Sequence, residues 1–100
     1  MRPRIDLLPV SLLEGAAECL KVLAHPVRLR IVDILMQGDF QVGEIAELCD
    51  VLPHQASEHL RLLKGRGLLQ SRREGRSVFY KIEDARLPGL LTCIRTCSTR

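Results

Sequence analysis

Aromatic residues are scarce in this sequence. Its 100 residues include one Tyr, two Phe and no Trp, although 46% of them are apolar. The core is therefore expected to be aliphatic, and the abundance of Leu and Ala favours helices over a β-sandwich or barrel. The shortage of aromatic side chains also argues against a module that stacks single-stranded bases, so RNA is not an expected partner.

Long apolar runs and catalytic motifs are missing as well. No stretch approaches the roughly 18 apolar residues that suggest a membrane span, and the N-terminus lacks the charged, apolar and small-residue order of a secretory signal. We therefore expect a cytoplasmic protein with no membrane partner. The sequence contains no Cys-x-x-Cys pair, no glycine-rich phosphate loop and no nucleophile plausibly joined to a base and an acid. An enzyme is not expected.

Positive charge is concentrated in one segment of the chain. From Arg61 to Lys81 there are seven cations and one acid, so a local charge of +6 sits in a chain whose net charge is +3. Such asymmetry is typical of proteins that displace counterions from nucleic acid, and double-stranded DNA is the expected partner. The seven cations are Arg61, Lys64, Arg66, Arg72, Arg73, Arg76 and Lys81.

The first part of the chain predicts an arm followed by two helices. Residues 1–10 are expected to form a flexible N-terminal arm, and the order Ser11-x-x-Glu14 predicts a capping box at the start of the first helix. His25-Pro26 ends that helix and begins the second, because proline suits the first helical position but disfavours helical geometry in the residue before it. The apolar face of the first helix is wide enough to cover both its own domain and a partner.

The remaining sequence predicts a winged helix-turn-helix over residues 11–98. A third helix ends at Cys49, a turn follows, and Pro53 begins a fourth helix whose inward residues are Ala56, Leu60 and Leu63. The buried side of the third helix is expected to carry Ile45, Ala46, Leu48 and Cys49. Leu68–Arg72 and Val78–Ile82 alternate as paired strands around a turn at Gly75, and a fifth helix follows Asp84. The fold class is mainly α with a small β-hairpin wing, in the order helix, helix, short strand, helix, helix, strand, strand, helix.

Four stretches of this pattern resemble the ArsR/SmtB family of small dimeric bacterial repressors. They are LKVLAHPVRLRI at 20–31, VGEIA at 42–46, ASEHL at 56–60 and REGRSVFY at 73–80, within a resemblance that covers about residues 12–97. The resemblance implies a homodimer built on the first and fifth helices, with two recognition helices entering successive major grooves. It also implies repression of an operator that is relieved when an inducer is sensed.

The fourth helix is the expected recognition helix, and the strands are the expected wing. The candidate DNA-binding residues are His54, Gln55, Ser57, Glu58, His59, Arg61, Arg72, Arg73 and Arg76. Gln55 is the best suited to read a base, because its amide can pair with both N6 and N7 of adenine. His59 has two open roles, a DNA contact or a partly buried orienting contact, and Glu58 either accepts from a cytosine amino group or is solvated. The wing arginines are expected to hold phosphates or reach the minor groove, with a solvated charge run as the alternative.

The cysteines suggest an input signal. Family members of the arsenic and cadmium type carry Cys-x-Cys on the third helix, where this chain has Gln41 and Gly43, and the fifth helix lacks the histidines of the family's zinc site. Cys93 and Cys97, one helical turn or ~6 Å apart, are spaced to share a soft ion. Cys19 is a candidate third ligand from across the dimer. Arsenite or another soft metal ion, an oxidant, or simple packing of the thiols as small hydrophobes remain open.

The sequence therefore predicts a homodimeric, sequence-specific transcriptional repressor that a thiol-sensed inducer releases from its operator. Two alternatives stay open. One is a winged-helix module that binds another protein and never reads DNA. The other is a DNA-binding regulator with no metal or redox sensor, in which case no cofactor is bound.

Overall fold

The computed structural model describes residues 4–98, which form five helices and three strands. In chain order these are α1 (Val10–Leu23), α2 (Pro26–Leu35), β1 (Phe40–Gln41), α3 (Val42–Cys49), α4 (Pro53–Gly65), β2 (Leu69–Glu74), β3 (Ser77–Ile82) and α5 (Leu87–Ser98). The predicted fold class, a winged helix-turn-helix with a small β-wing, is confirmed. Residues 4–9 have no regular secondary structure, and residues 1–3 of the predicted arm lie outside the described part of the chain.

The start of α1 differs from the prediction. The helix begins at Val10, because the carbonyl of Pro9 accepts the backbone N–H groups of Leu12 and Leu13 at 3.1 and 3.2 Å. Ser11 therefore lies inside the first turn, and the capping box predicted for Ser11 and Glu14 is wrong. With its fixed backbone angle, Pro9 takes the N-cap position without any side-chain hydrogen bond.

The junction of α1 and α2 forms as predicted, with a contribution from a side chain. The Nδ1 atom of His25 accepts the backbone N–H of Val27 at 3.1 Å, and Pro26 occupies the first helical position. The histidine therefore caps α2 and satisfies one of the N–H groups that a helix N-terminus leaves without a partner.

The core is aliphatic and lies where the end of α1, the helices α2 to α5 and the sheet meet. Its fully buried large side chains are Leu23, Ile31, Val32, Ile45, Leu60, Leu63 and Leu87. The inward residues predicted for α4 are buried, but the placement of Leu48 on the buried side of α3 is wrong, since 54% of its surface is exposed. In this short helix Ile45 and Ala46 are the buried residues, and the side chain of Leu48 points away from the core.

The wing is part of a three-stranded antiparallel sheet with the order β1-β3-β2. β2 and β3 form the predicted hairpin, in register from Leu69 opposite Ile82 to Glu74 opposite Ser77. Gly75 begins the two-residue turn with φ +62°, a value that glycine adopts without steric cost. Pairing of β1 with β3 attaches the hairpin to the residues that lead directly into α3.

Candidate nucleic-acid interface

The turn between α3 and α4 fixes the direction of α4. Asp50 ends α3 in the left-handed conformation with φ 56°, and the backbone N–H of Val51 donates to the carbonyl of Ala46 at 3.0 Å. Asp tolerates this conformation better than most residues. Pro53 then starts α4 at its first position. The chain reverses within four residues, so α4 crosses α3 as the second helix of a helix-turn-helix does.

Two faces of α4 have opposite character. Ala56, Leu60 and Leu63 are completely buried. The outward face carries the predicted DNA-binding residues of this helix: His54, Gln55, Glu58 and Arg61 are exposed, while Ser57 and His59 are half-buried. The exposed residues His54, Gln55 and Glu58 lie in the N-terminal half of α4, which is the part of a recognition helix that meets base edges, and Arg61 follows one turn later.

Gln55 has a structural role that the sequence reasoning missed. Its Oε1 atom accepts the backbone N–H of Leu52 at 3.0 Å, which caps the start of α4. This bond leaves the amide nitrogen and one oxygen lone pair for a base. It also fixes the rotamer of the side chain, so an adenine contact by Gln55, which stays a prediction, would be made by a group already held in place.

His59 is tied to α2. Its Nδ1 atom accepts the Nε–H of Arg28 at 3.2 Å, and its ring centroid lies 4.7 Å from that of His25. Burial lowers the pKa of His59 below its ordinary value of 6.5, the neighbouring His25 and Arg28 add to the lowering, and Glu58 opposes it. Of the two roles left open for His59, this geometry supports the orienting one.

The three predicted wing arginines differ in how firmly they are held. Arg72 donates to the carboxylates of Asp39 at 2.6 Å and Glu74 at 3.1 Å, and its guanidinium lies 4.9 Å from the ring centroid of Phe79. These hydrogen bonds raise the pKa of Arg72 above its ordinary value. Arg73 and Arg76 are exposed and have no hydrogen bond or ion pair within residues 4–98. They are the wing cations available to a phosphate, whereas Arg72 braces the wing against the loop before β1.

A basic cleft lies between α4 and the wing. Lys64, near the end of α4, donates to the hydroxyl of Ser71 on β2 at 2.8 Å and so connects the two walls. The open space beside them has a volume of about 640 Å³, and its lining includes four cations and no carboxylate. The charged lining residues are Arg61, Lys64, Arg72 and Arg73. Because Arg72 is already paired with Asp39 and Glu74, the positive charge here that is unpaired within residues 4–98 and could attract a polyanion comes from Arg61, Lys64 and Arg73.

Comparison with known proteins agrees with this geometry. A helix-turn-helix domain family matches residues 23–72. The biofilm growth-associated repressor of Xylella fastidiosa is 34% identical over 80 residues, which cover 80% of this chain and 70% of that protein. The HTH-type transcriptional repressor SmtB of Mycobacterium tuberculosis is 37% identical over 79 residues, covering 79% and 58%. The chain belongs to the ArsR/SmtB family. The members of this family are DNA-binding transcriptional regulators, not enzymes.

A solved structure of the ArsR/SmtB fold is also similar. It is the solution structure of the homodimeric winged helix-turn-helix DNA-binding domain Mb0332 from Mycobacterium bovis, described as a possible ArsR-family transcriptional regulator. The TM-score is 0.76 at 34% identity, and the match covers 89% of this chain and 82% of that one.

Within residues 4–98, none of the five helices has the length and apolar character that a membrane span requires.

The cysteines of this ArsR/SmtB chain are all free thiols, and their surroundings fall into two classes. Cys93 and Cys97 are exposed on α5, whereas Cys19 and Cys49 are half-buried. Burial raises the pKa of the Cys19 thiol, partly offset by nearby Arg86, and burial likewise raises the pKa of Cys49. Among the described residues of one subunit, no three His, Cys, Asp or Glu side chains lie close enough to hold a metal ion.

Two contacts of the interface were not predicted from the sequence. Arg28 lies in the matched stretch at 20–31 but was assigned no role, and its partner His59 is 31 residues away. The sequence likewise predicts no role for Asp39, which accepts a hydrogen bond from Arg72 across 33 residues. In the sequence these residues are recognisable only as charged side chains. Hydrophobic periodicity does not report which charged side chains the fold brings together.

Proposed function

We propose that this chain is a homodimeric, sequence-specific DNA-binding repressor that acts in the cytoplasm. In each subunit α4 enters a major groove, and the wing lies over the adjacent phosphate backbone. The observation that carries the proposal is the continuity of two surfaces: the polar outward face of α4 runs into the cleft whose charged lining residues are all cations. The former can hydrogen-bond base edges, and the latter can neutralise phosphates. Relatives named as repressors support the direction of control.

The dimer is proposed to form through α1 and α5. About half of the side-chain surface of Leu12, Leu13 and Leu20 on α1 is exposed, and Ile94 on α5 is 41% exposed. A small domain gains stability when such a face is covered: burying the exposed half of each Leu contributes roughly 0.8–1.5 kcal/mol, half of the value for a whole Leu side chain. The homodimeric state of the Mycobacterium bovis domain is consistent with this arrangement.

The test of DNA recognition begins with a selected sequence. Rounds of binding to random duplexes, together with the promoter region of the chain's own gene, would yield an operator, and its affinity is then compared with that of a scrambled duplex. We expect a preference of at least 10³-fold, as is typical of specific DNA-binding proteins. A chain that binds every duplex equally, or none, would contradict the proposal.

Gln55 offers the residue-level form of this test. Gln55→Ala is expected to reduce operator affinity more than scrambled-duplex affinity, because it removes a base contact worth about 1–3 kcal/mol of discrimination. Since Gln55 also caps α4, Gln55→Glu serves as the matched variant: it keeps an oxygen for the N–H of Leu52 but lacks the amide donor. Equal losses on both duplexes, in a variant with an intact helix, would remove Gln55 from base reading.

For the input we propose the exposed thiols of Cys93 and Cys97, completed by Cys19 of the second subunit. Support comes from their accessibility on α5, next to the proposed dimer face. Two thiolates one turn apart suit a soft ion such as arsenite, and the same thiols are open to oxidation. The test measures operator affinity while the reduced dimer is titrated with arsenite, cadmium, zinc or hydrogen peroxide. The response should vanish in the Cys93→Ser, Cys97→Ser double variant and persist in Cys49→Ser; an unchanged response in the double variant would exclude these thiols.

A further inference from the structure

One side chain connects the dimer helix to the recognition helix. The Nη1 atom of Arg28 on α2 donates to the carbonyl of Val22, near the end of α1, at 2.9 Å, while its Nε donates to Nδ1 of His59 on α4 at 3.2 Å. Arg28 is half-buried, so these two bonds are made at the edge of the core, where competition from water is reduced. The guanidinium thus spans three helices.

Both contacts place requirements on His59. Nδ1 can accept from Arg28 only when it carries no proton, so the neutral ring with its proton on Nε2 is the form that fits. The ring of His25 also lies near, with its centroid 4.7 Å from that of His59, and its own Nδ1 accepts the N–H of Val27 at the N-cap of α2. His59 therefore has a cation and a second imidazole as neighbours, and both disfavour a charged ring.

A proton on His59 would change this arrangement in two ways. It would remove the acceptor that Arg28 uses, and it would place a second positive charge about one hydrogen-bond length from the guanidinium. The charged and titratable groups around His59 are Arg28 of α2, His25 of the α1–α2 junction and Glu58 of α4. Only Glu58 favours the protonated ring, and it is exposed, so water screens its effect.

The contact also has room to rearrange. An open cavity of about 450 Å³ lies beside His59 and is lined by His25, the first turn of α2, the turn before α4 and α4 itself. Gln55 and Glu58, two of the outward residues of α4, are part of this lining. A shift of the imidazole away from Arg28 would therefore be transmitted to the residues that face DNA.

We propose that Arg28 and His59 are positioning residues for operator recognition, and that acidification weakens specific binding by breaking the hydrogen bond between them. The inference rests on the proposed DNA-binding function. While the bond is intact, α4 is held against α2 and the end of α1. When His59 is protonated, α4 loses this anchor, and base contacts that depend on its angle are lost before phosphate contacts that do not.

The experiment measures the ratio of operator affinity to scrambled-duplex affinity between pH 5.5 and 8, at constant ionic strength. This ratio cancels any general gain in phosphate attraction at low pH, because such a gain is equal for the two duplexes. We expect the ratio to fall about thirtyfold as the pH drops below 6.5, the net contribution of roughly one hydrogen bond in each of the two subunits. His59→Asn, which keeps an acceptor oxygen and cannot titrate, should flatten the profile. Arg28→Gln should lower the ratio at neutral pH and have little further effect at acidic pH, where the bond to His59 is already broken.

The outcomes distinguish failure of the proposed DNA-binding function from failure of the positioning role of Arg28 and His59. If the protein prefers no sequence at any pH, the proposed function fails. If it prefers its operator but the ratio does not depend on pH, or if His59→Asn retains the wild-type profile, the positioning role is overturned. A second measurement uses the wild-type dimer, so misfolding of a variant cannot affect it. In ¹H–¹⁵N spectra, Nδ1 of His59 should have the chemical shift of an unprotonated nitrogen that accepts a hydrogen bond. The backbone amides of α4 should shift as His59 titrates. Titration of His59 without movement of those amides would also overturn the role.

Discussion

Replacing Arg73 by Ala removes one of the two wing guanidinium groups that have no partner within the described chain. In a dimer the change removes two cations, one from each wing. If each contacts one phosphate, the slope of log affinity against log salt becomes shallower by about 1.8, since each neutralised phosphate contributes about 0.9. Between 50 and 200 mM salt, the affinity deficit of the variant should therefore shrink about tenfold. The loss should be similar on operator and scrambled duplexes, because a phosphate contact carries no sequence information.

The assay is fluorescence anisotropy of a labelled duplex across a salt series. Arg86→Ala is the matched control, because it makes the same change in charge at a residue beyond the base of the hairpin, a strand's length of about 20 Å from its tip. Arg86 is engaged with the carboxylate of Asp84, and its removal should leave the slope nearly unchanged. A slope that does not change in Arg73→Ala would refute the phosphate contact. A loss confined to the operator would instead assign base reading to the wing.

The remaining predictions concern assembly, stability and pH. Leu20→Asp should shift the dimer toward monomer in analytical ultracentrifugation, while Leu48→Asp, at an equally exposed apolar residue outside the proposed interface, should not; dissociation of both or neither would contradict the α1 interface. Leu60→Ala, at a fully buried position, should lower the free energy of unfolding in urea by about 2–5 kcal/mol, and a loss below 1 kcal/mol would contradict the packing described for α4. Because the folded-state pKa of His59 lies below 6.5, the unfolded chain binds the proton first, so the stability that His59 contributes is fully present above pH 6.5 and is lost as the pH falls through the lowered folded-state pKa. Thermal unfolding from pH 8 to 5.5 should show this decline, and His59→Asn should reduce it; equal declines in the two proteins would contradict the assignment.

The helices and the hairpin could be predicted because their signals are local. Pro26 and Pro53 mark helix starts through their own backbone angle, and the apolar spacing of Ala56, Leu60 and Leu63 reports the buried side of α4 directly. Gly75 likewise marks the turn of the wing. The capping box at Ser11 failed because several residues near a helix start can satisfy the same N–H groups, and the carbonyl of Pro9 did so one residue earlier. Local patterns locate a helix better than they locate its first residue.

The candidate site was only partly predictable. Once the apolar side of α4 is identified, the remaining residues define its outward face, so the exposure of His54, Gln55 and Glu58 could be predicted. Which of them are free to act depends on contacts between distant segments. The pairs Arg28–His59 and Arg72–Asp39 join residues more than 30 positions apart, and a single sequence holds no signal for such a distance. Both pairs changed the interpretation of a predicted DNA-binding residue.

The short strand β1 has a mechanical consequence. It pairs with β3, and Arg72 grips Asp39 beside it, while the same strand runs without a break into α3. The hydrogen bond from Lys64 to Ser71 joins α4 to β2. The recognition helix and the wing of each subunit are therefore held together as one rigid unit. If the proposed dimer and its sensing are correct, a signal at α1 or α5 would act by turning each rigid unit as a whole. A rotation of a few degrees would change the separation of the two recognition helices, so that they no longer match the helical repeat of DNA.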